Sequence, residues 1–206
     1  MARYRLAPLF RDFDKTSSDL NNIVTRLALL SSTLERDVHI EGCFIRAVTA
    51  WENFLEEYFL RCMCSAETRG KSVLKPKALI ATDSKAAFLS LLALSRAGNI
   101  GYLNWLDQHS LNAFANTYFH QNSRVHKIYE SPDKLQAMTT IRNAIAHRSK
   151  KAIAEFEKYV TNQHGYLSRT HPSMAELLIT QKRSNSKLIF VDLVDYYQNL
   201  ADSLTK

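Results

Sequence analysis

The segment SPDKLQAMTTIRNAIAHRSKK, residues 131–151, sets Arg142, Asn143 and His147 within about a turn and a half of one helix-forming stretch. Lys and Glu alone would make such a helix soluble, so these residue types invite a chemical reading. An imidazole exchanges protons near neutral pH, its unperturbed pKa being about 6.5. A guanidinium stays charged and meets phosphoryl oxygens through a planar fork of donors. Together they suit cleavage of RNA without a metal ion. The ribose 2′-hydroxyl attacks its own phosphate, His147 moves a proton, Arg142 stabilises the charge developing on the phosphoryl oxygens, and Asn143 orients either His147 or the ribose. The products of that route are a 2′,3′-cyclic phosphate and a 5′-hydroxyl.

The helix that must position these groups opens at Ser131-Pro132, where Ser accepts an orphan backbone N–H and Pro at the first helical position wastes no donor. At about 100° per residue, Met138, Ile141 and Ile145 form its buried stripe, while Asn143 and His147 lie on the opposite side with Gln136, Thr139 and Thr140. Arg142 points about 140° away from His147 on a straight helix. Either the long Arg side chain reaches part of the way, or the site is composite, formed across a cleft between helices or between two copies of the chain. Ala144 and Ala146, small side chains beside the polar groups, fit the close approach of another backbone or a bulky ligand. Downstream, Ser149 can cap a further helix over SKKAIAEFEKYVTN, and Arg148, Lys150 and Lys151 are the basic residues placed to hold an RNA backbone.

Elsewhere the chain reads as helix after helix. Beyond a polar lead, with Thr16 and Asp19 as a capping start, Leu20, Ile23, Val24, Leu27, Leu30 and Leu34 recur at helical spacing as one buried face. Phe44, Val48, Trp51, Leu55 and Phe59 mark a long central helix, with a kink near Gly42 in keeping with its sequence. AETRGKSVLKPKALIATDS is a connection, DSKAAFLSLLALSRAGN a shorter helix ending near Gly98, and Leu103, Leu106, Phe114 and Tyr118 belong to another. In the C-terminal part KLIFV suggests a short extended piece before a last helix. Trp51, Trp105 and most Phe and Tyr sit at core spacing and do not form a base-stacking platform.

Composition agrees with an all-α chain. Its 206 residues suffice for one domain, and five Gly and four Pro beside 46% hydrophobic residues favour long helices over tight turns. The formal charge of +7, from 27 Lys and Arg against 20 Asp and Glu, favours a polyanionic partner. Cys43, Cys62 and Cys64 lack the spacing of a disulfide framework or zinc site and read as reduced thiols. No clustered ligands suggest a metal, no glycine-rich loop with Lys-Ser or Lys-Thr suggests a nucleotide cofactor, and no apolar run approaches the roughly 18 residues of a membrane span. A cytoplasmic protein without cofactor is expected. Two weaker groups remain. His120 and His126, with Arg124 and Lys127, are placed as surface residues or phosphate contacts, and His164 and His171 flank Tyr166 and Arg169, which can stack on a base or bind backbone.

The run RNAIAH, an Arg followed by a polar residue, three variable residues and a His, resembles the R-x4–6-H motif of the HEPN superfamily, all-helical proteins that include many metal-independent RNases of toxin–antitoxin and anti-phage systems. RAVTAWENFLEEYF resembles the first core helix of that family and supplies Glu52 as its acidic residue, with Glu56 and Glu57 as solvated alternatives. The nearest subclass is the RiboL-PSP-like HEPN group. The resemblance covers residues 15–165 and implies a HEPN-like up-down helical bundle, followed over residues 166–206 by additional C-terminal helices in the same single domain. It further implies a homodimer whose site draws on both motifs, with Arg142, Asn143 and His147 as catalytic residues and an antitoxin or activator protein as regulator. A helical adaptor of the same fold, binding RNA or a partner protein without cutting, is the alternative.

Overall fold

The computed structural model describes residues 4–77, 83–97, 104–165, 171–182 and 185–206. Among the described residues the fold is all-α apart from three two-residue strands and one isolated bridge. In chain order the elements are β1 (Tyr4–Arg5), α1 (Leu6–Leu27), α2 (Leu34–Met63), β2 (Ala66–Glu67), β3 (Val73–Leu74), α3 (Ser84–Ala97), α4 (Gln108–Tyr118), a 3-10 turn at Arg124–Tyr129, α5 (Pro132–His147), α6 (Lys150–His164), α7 (Met174–Ile179) and α8 (Ile189–Thr205). These residues group into two compact units, one of Met1–Asp14, Trp51–Leu135 and Gln198–Lys206, the other of Lys15–Ala50 and Gln136–Tyr197.

The first unit is built on aromatic packing. Phe54 lies 5.0 Å from Phe13, and Phe59 lies 5.4 Å from Trp105, ring centre to ring centre. Trp105 in turn meets Phe114 at 5.7 Å. All these rings are buried, as expected for aromatics at core spacing. The small sheet joins β1 to β2 in parallel and β2 to β3 antiparallel. In the turn that follows β2, the Gly70 N–H donates to the Lys206 carbonyl at 2.9 Å. A Cβ at Gly70 would stand 2.7 Å from that oxygen, so only glycine permits the approach. Arg69 beside it covers the Phe10 ring and pairs with Asp202, whose carboxyl is held below the usual range by Lys206 and by Arg69.

The second unit contains α5. Its core includes Leu20, Val24, Phe44, Met138, Ile141, Ala144, Phe156 and Phe190, with Phe44 and Phe190 edge to face at 6.2 Å. The sequence spacing placed Ile145 in the buried stripe of α5, but Ala144 is fully buried and Ile145 only half so. Ala144 is therefore a packing residue and not a small neighbour kept for a ligand, a role that remains open only to exposed Ala146.

Other expectations are corrected by the same structure. The first helix starts at Leu6, not after Thr16, because buried Leu6 and Phe13 continue its apolar face and Pro8 sits in the first turn, where a missing N–H is harmless. Leu30 and Leu34, read as buried, are exposed, since α1 ends at Leu27 and the chain turns at residues 28–33, and Ile23, also read as buried, is exposed within α1 itself. Helix α2 runs unbroken through Gly42. KLIFV is extended only at Leu188, which bridges Gln181, and α8 takes over at Ile189 because Phe190, Leu193, Val194 and Tyr197 need helical spacing to reach the core. Helix α8 buries Phe190, Leu193 and Val194 in the second unit and Leu200, Ala201 and Leu204 in the first. Gly98, Leu103, Tyr166 and Arg169 lie outside the described residues.

Candidate functional site

Helix α5 begins at Pro132, as the Ser131-Pro132 pair predicts, and ends at His147. Its termination is local chemistry. Arg148 adopts a left-handed backbone with φ 46°, and its N–H donates to the Ala144 carbonyl at 3.2 Å. Ser149 then caps α6, its hydroxyl accepting from the Ala152 N–H at 3.2 Å. His147 is thus the last residue of one helix, two positions before the cap of the next.

The core side of α5, centred on Ile141, decides where the polar groups go. Asn143 and Arg142 are half-buried on its flanks, whereas His147 is exposed. The guanidinium of Arg142 donates from Nη1 to Asn143 Oδ1 at 3.1 Å. Arg142 and Asn143 are therefore brought together, and Asn143 orients the Arg and not the His within one copy. His147 makes no hydrogen bond or ion pair among the described residues. On a continuous helix the five-residue step from Arg142 to His147 is about 140° of rotation, so the two side chains diverge.

The basic residues after the motif differ from one another. Arg148 forms an ion pair with Glu41 of α2 at 2.6 Å, its own side chain 63% exposed and that of Glu41 only 12%. Lys151 approaches Glu155 at 4.0 Å, one helical turn away on the surface, a pairing that contributes little. Lys150 is exposed and unpaired among the described residues. Sequence reading missed Glu41, because a partner 107 positions away leaves no local signal.

Glu52 is half-buried on α2 in the first unit. The two alternatives beside it are engaged: Glu56 accepts from Trp105 Nε1 at 3.0 Å, and Glu57 accepts from Arg61 Nε at 2.7 Å. His126 is not a surface residue. It is buried in the 3-10 turn, with Nε2 bonded to the His120 carbonyl at 2.9 Å and Nδ1 to the Tyr129 hydroxyl, which leaves no ring nitrogen for phosphate.

His164 meets the Tyr159 hydroxyl at 3.3 Å, and burial with nearby Lys182 pushes its pKa below the ordinary imidazole value. His171 bonds to the Thr161 hydroxyl at 2.9 Å. All three cysteines are free thiols, and burial drives Cys62 far above the usual thiol range. No three His, Cys, Asp or Glu side chains among the described residues gather as a metal site, and no helix among them is long and apolar enough to cross a membrane.

Chemically, the motif offers a preoriented guanidinium, an amide whose NH2 has no partner among the described residues, and an accessible imidazole on a different side of the same helix. A neutral amide aims the Arg without cancelling its charge, so the remaining N–H groups stay available to an anionic oxygen. Comparison of the chain with protein-family models, with curated protein sequences and with solved structures gave no match.

Proposed function

We propose that the protein is a cytoplasmic, metal-independent endoribonuclease of HEPN type, acting as a homodimer and serving as a toxin or anti-phage effector under the restraint of a partner protein. The observation that carries this reading is the hydrogen bond that holds the half-buried Arg142 guanidinium to Asn143 on the same helix that ends in exposed His147. In the proposed reaction the 2′-hydroxyl oxygen forms a bond to phosphorus while its proton passes to an imidazole, and the bond from phosphorus to the 5′-oxygen breaks as that oxygen receives a proton. Arg142 carries the negative charge that builds on the equatorial oxygens. The divergence of Arg142 and His147 favours a composite site, in which His147 of one copy serves the phosphate gripped by Arg142 of another.

Purified protein incubated with end-labelled tRNA and mRNA in excess chelator, beside Arg142→Ala and His147→Ala, tests this directly. Cleavage by wild type alone, leaving cyclic phosphate and 5′-hydroxyl ends, supports the reading. Intact RNA in every lane, with RNA still bound, overturns it in favour of a non-catalytic adaptor of the same fold. That second reading has an observation of its own, since in a single copy Arg142 turns to Asn143 and not to His147.

A further inference from the structure

Large hydrophobic side chains on a solvent-facing surface are informative when they cluster. In the second unit Ile23, Leu29, Leu30, Leu34 and Val38 are all exposed, Leu34 by 83% and Val38 by 54%. Two of them, Ile23 and Val38, line a cavity of about 490 Å³ between α1 and α2, with Leu20 beside Ile23 on one wall and Gly42, Cys43 and Arg46 beside Val38 on the other. On α2 the exposed side runs Glu35, Val38, Gly42, Thr49, with half-buried Ile45 among them, steps of three and four that draw one line along the helix. A Cβ at Gly42 would have nothing within 4 Å, so this mid-helix glycine is not required by packing inside its own chain. Its absent side chain opens the helix backbone to a close neighbour instead.

We infer that this face of α2, with the α1 groove beside it, docks against the same face of a second copy, the two α2 helices crossing antiparallel near Gly42. The charges choose the occupant. Glu35 lies toward the start of the face and Arg46 toward its far end, about 16 Å along the axis. Reversing one helix against another about a point between His39 and Gly42 sets Glu35 of each copy opposite Arg46 of the other, and lays the bulky His39 over the empty position at Gly42. A face that carries one acid and one base about an apolar centre is its own complement, as a two-fold interface requires. It is a poor match for RNA, whose phosphates would find Glu35 and Asp19 beside Arg46 and His39. Leu20 and Ile23 on α1 extend the apolar centre, and Glu35 and Arg46 stand at its two ends.

This interface is distinct from the ion pair that anchors the end of α5, since Glu41 projects about 130° around α2 from the groove side chains. The inference shares with the proposed reading only the pairing of the chain with itself, and it is independent of the Arg142 and His147 site and of RNA cleavage. The test is sedimentation equilibrium of the full chain, whose single-copy mass is 23.6 kDa. Wild type is expected at twice that mass. Gly42→Glu, which meets only open space within its own chain, is expected to weaken self-association at least about a hundredfold by filling the position that His39 of the other copy must occupy.

Glu35→Arg or Arg46→Glu alone is expected to weaken association, and the double exchange to restore it, a recovery that misfolding cannot imitate. A wild-type protein that stays monomeric at about 1 mM, where even an association of only about 4 kcal/mol would show, overturns the inference, as does a Gly42→Glu protein that stays dimeric. A dimer that never cuts RNA keeps this inference and sinks the ribonuclease, whereas a monomer that cuts sinks this inference and the two-copy site and keeps only the ribonuclease.

Discussion

Arg148 stands at the junction of α5 and α6 in a left-handed conformation that L-residues avoid, and the cost can be measured by comparing two substitutions at that one position. Arg148→Ala and Arg148→Gly both delete the ion pair with Glu41. They differ in the backbone. With φ at 46°, Ala retains the clash of its Cβ, about 1–2 kcal/mol, whereas Gly has none. Gly gives back roughly 0.4–1 kcal/mol through the greater freedom of its unfolded chain. The steric penalty is the larger, so the Gly protein is expected to be more stable than the Ala protein by about 1 kcal/mol, or about 2–4 °C in melting temperature.

Against wild type the Gly protein should lie near zero, because relief of the left-handed strain offsets a partly exposed ion pair worth about 0.2–1 kcal/mol. Urea unfolding of the three proteins in one buffer decides the matter. An Ala protein as stable as the Gly protein would show that residue 148 is not left-handed in solution, and the account of how α5 stops beside His147 would fall with it.

Further outcomes can be checked in parallel. Arg142→Lys keeps the charge but loses the fork, and cleavage in chelator is expected to fall by about 10²–10³-fold, with RNA affinity nearly unchanged when measured by filter binding. Lys150→Ala and Lys151→Ala should each reduce the slope of log affinity against log salt by about 0.7 for single-stranded RNA, and an unchanged slope would remove them from the interface. His164 has a folded-state pKa depressed below 6.5 by burial and Lys182. Its contribution to stability is therefore complete above pH 6.5 and lost as pH falls through the lower, folded value, so His164→Gln should flatten a urea-unfolding pH profile on the acid side. Ile141→Ala, which empties a fully buried site behind the motif, should cost about 2–5 kcal/mol in the same assay.

What the sequence disclosed about α5 was what local chemistry controls. Ser131-Pro132 and Ser149 mark their helix starts because capping is a contact between residues a few positions apart. The polar side of the helix was legible from the same periodicity, and exposed His147 lies on it. Periodicity misled where it was carried across a reversal: Leu30 and Leu34 keep the step of the α1 face, yet the chain turns between the helices and leaves both in solvent. It also erred by one residue at Ile145, where the core is centred one step earlier on Ala144. Polarity misled at Thr16, which resembles a cap but lies inside α1. Glu41 and the buried state of His126 were out of reach, since each depends on contacts that the fold makes and that no short window of residues contains.

The bond between Arg142 and Asn143 has a consequence for which neighbours of the motif arginine are tolerable. Arginine only donates, so the amide oxygen must face it and the NH2 group must face outward. Asn143→Asp would hold the guanidinium in the same place more tightly, yet it would set a permanent anion at the spot where the proposed reaction places the phosphate. The wild-type pair behaves as a cocked cation, directed by a dipole and still carrying its full charge. A carboxylate in its place would turn the same geometry into a self-satisfied ion pair, with electrostatics opposed to any polyanion.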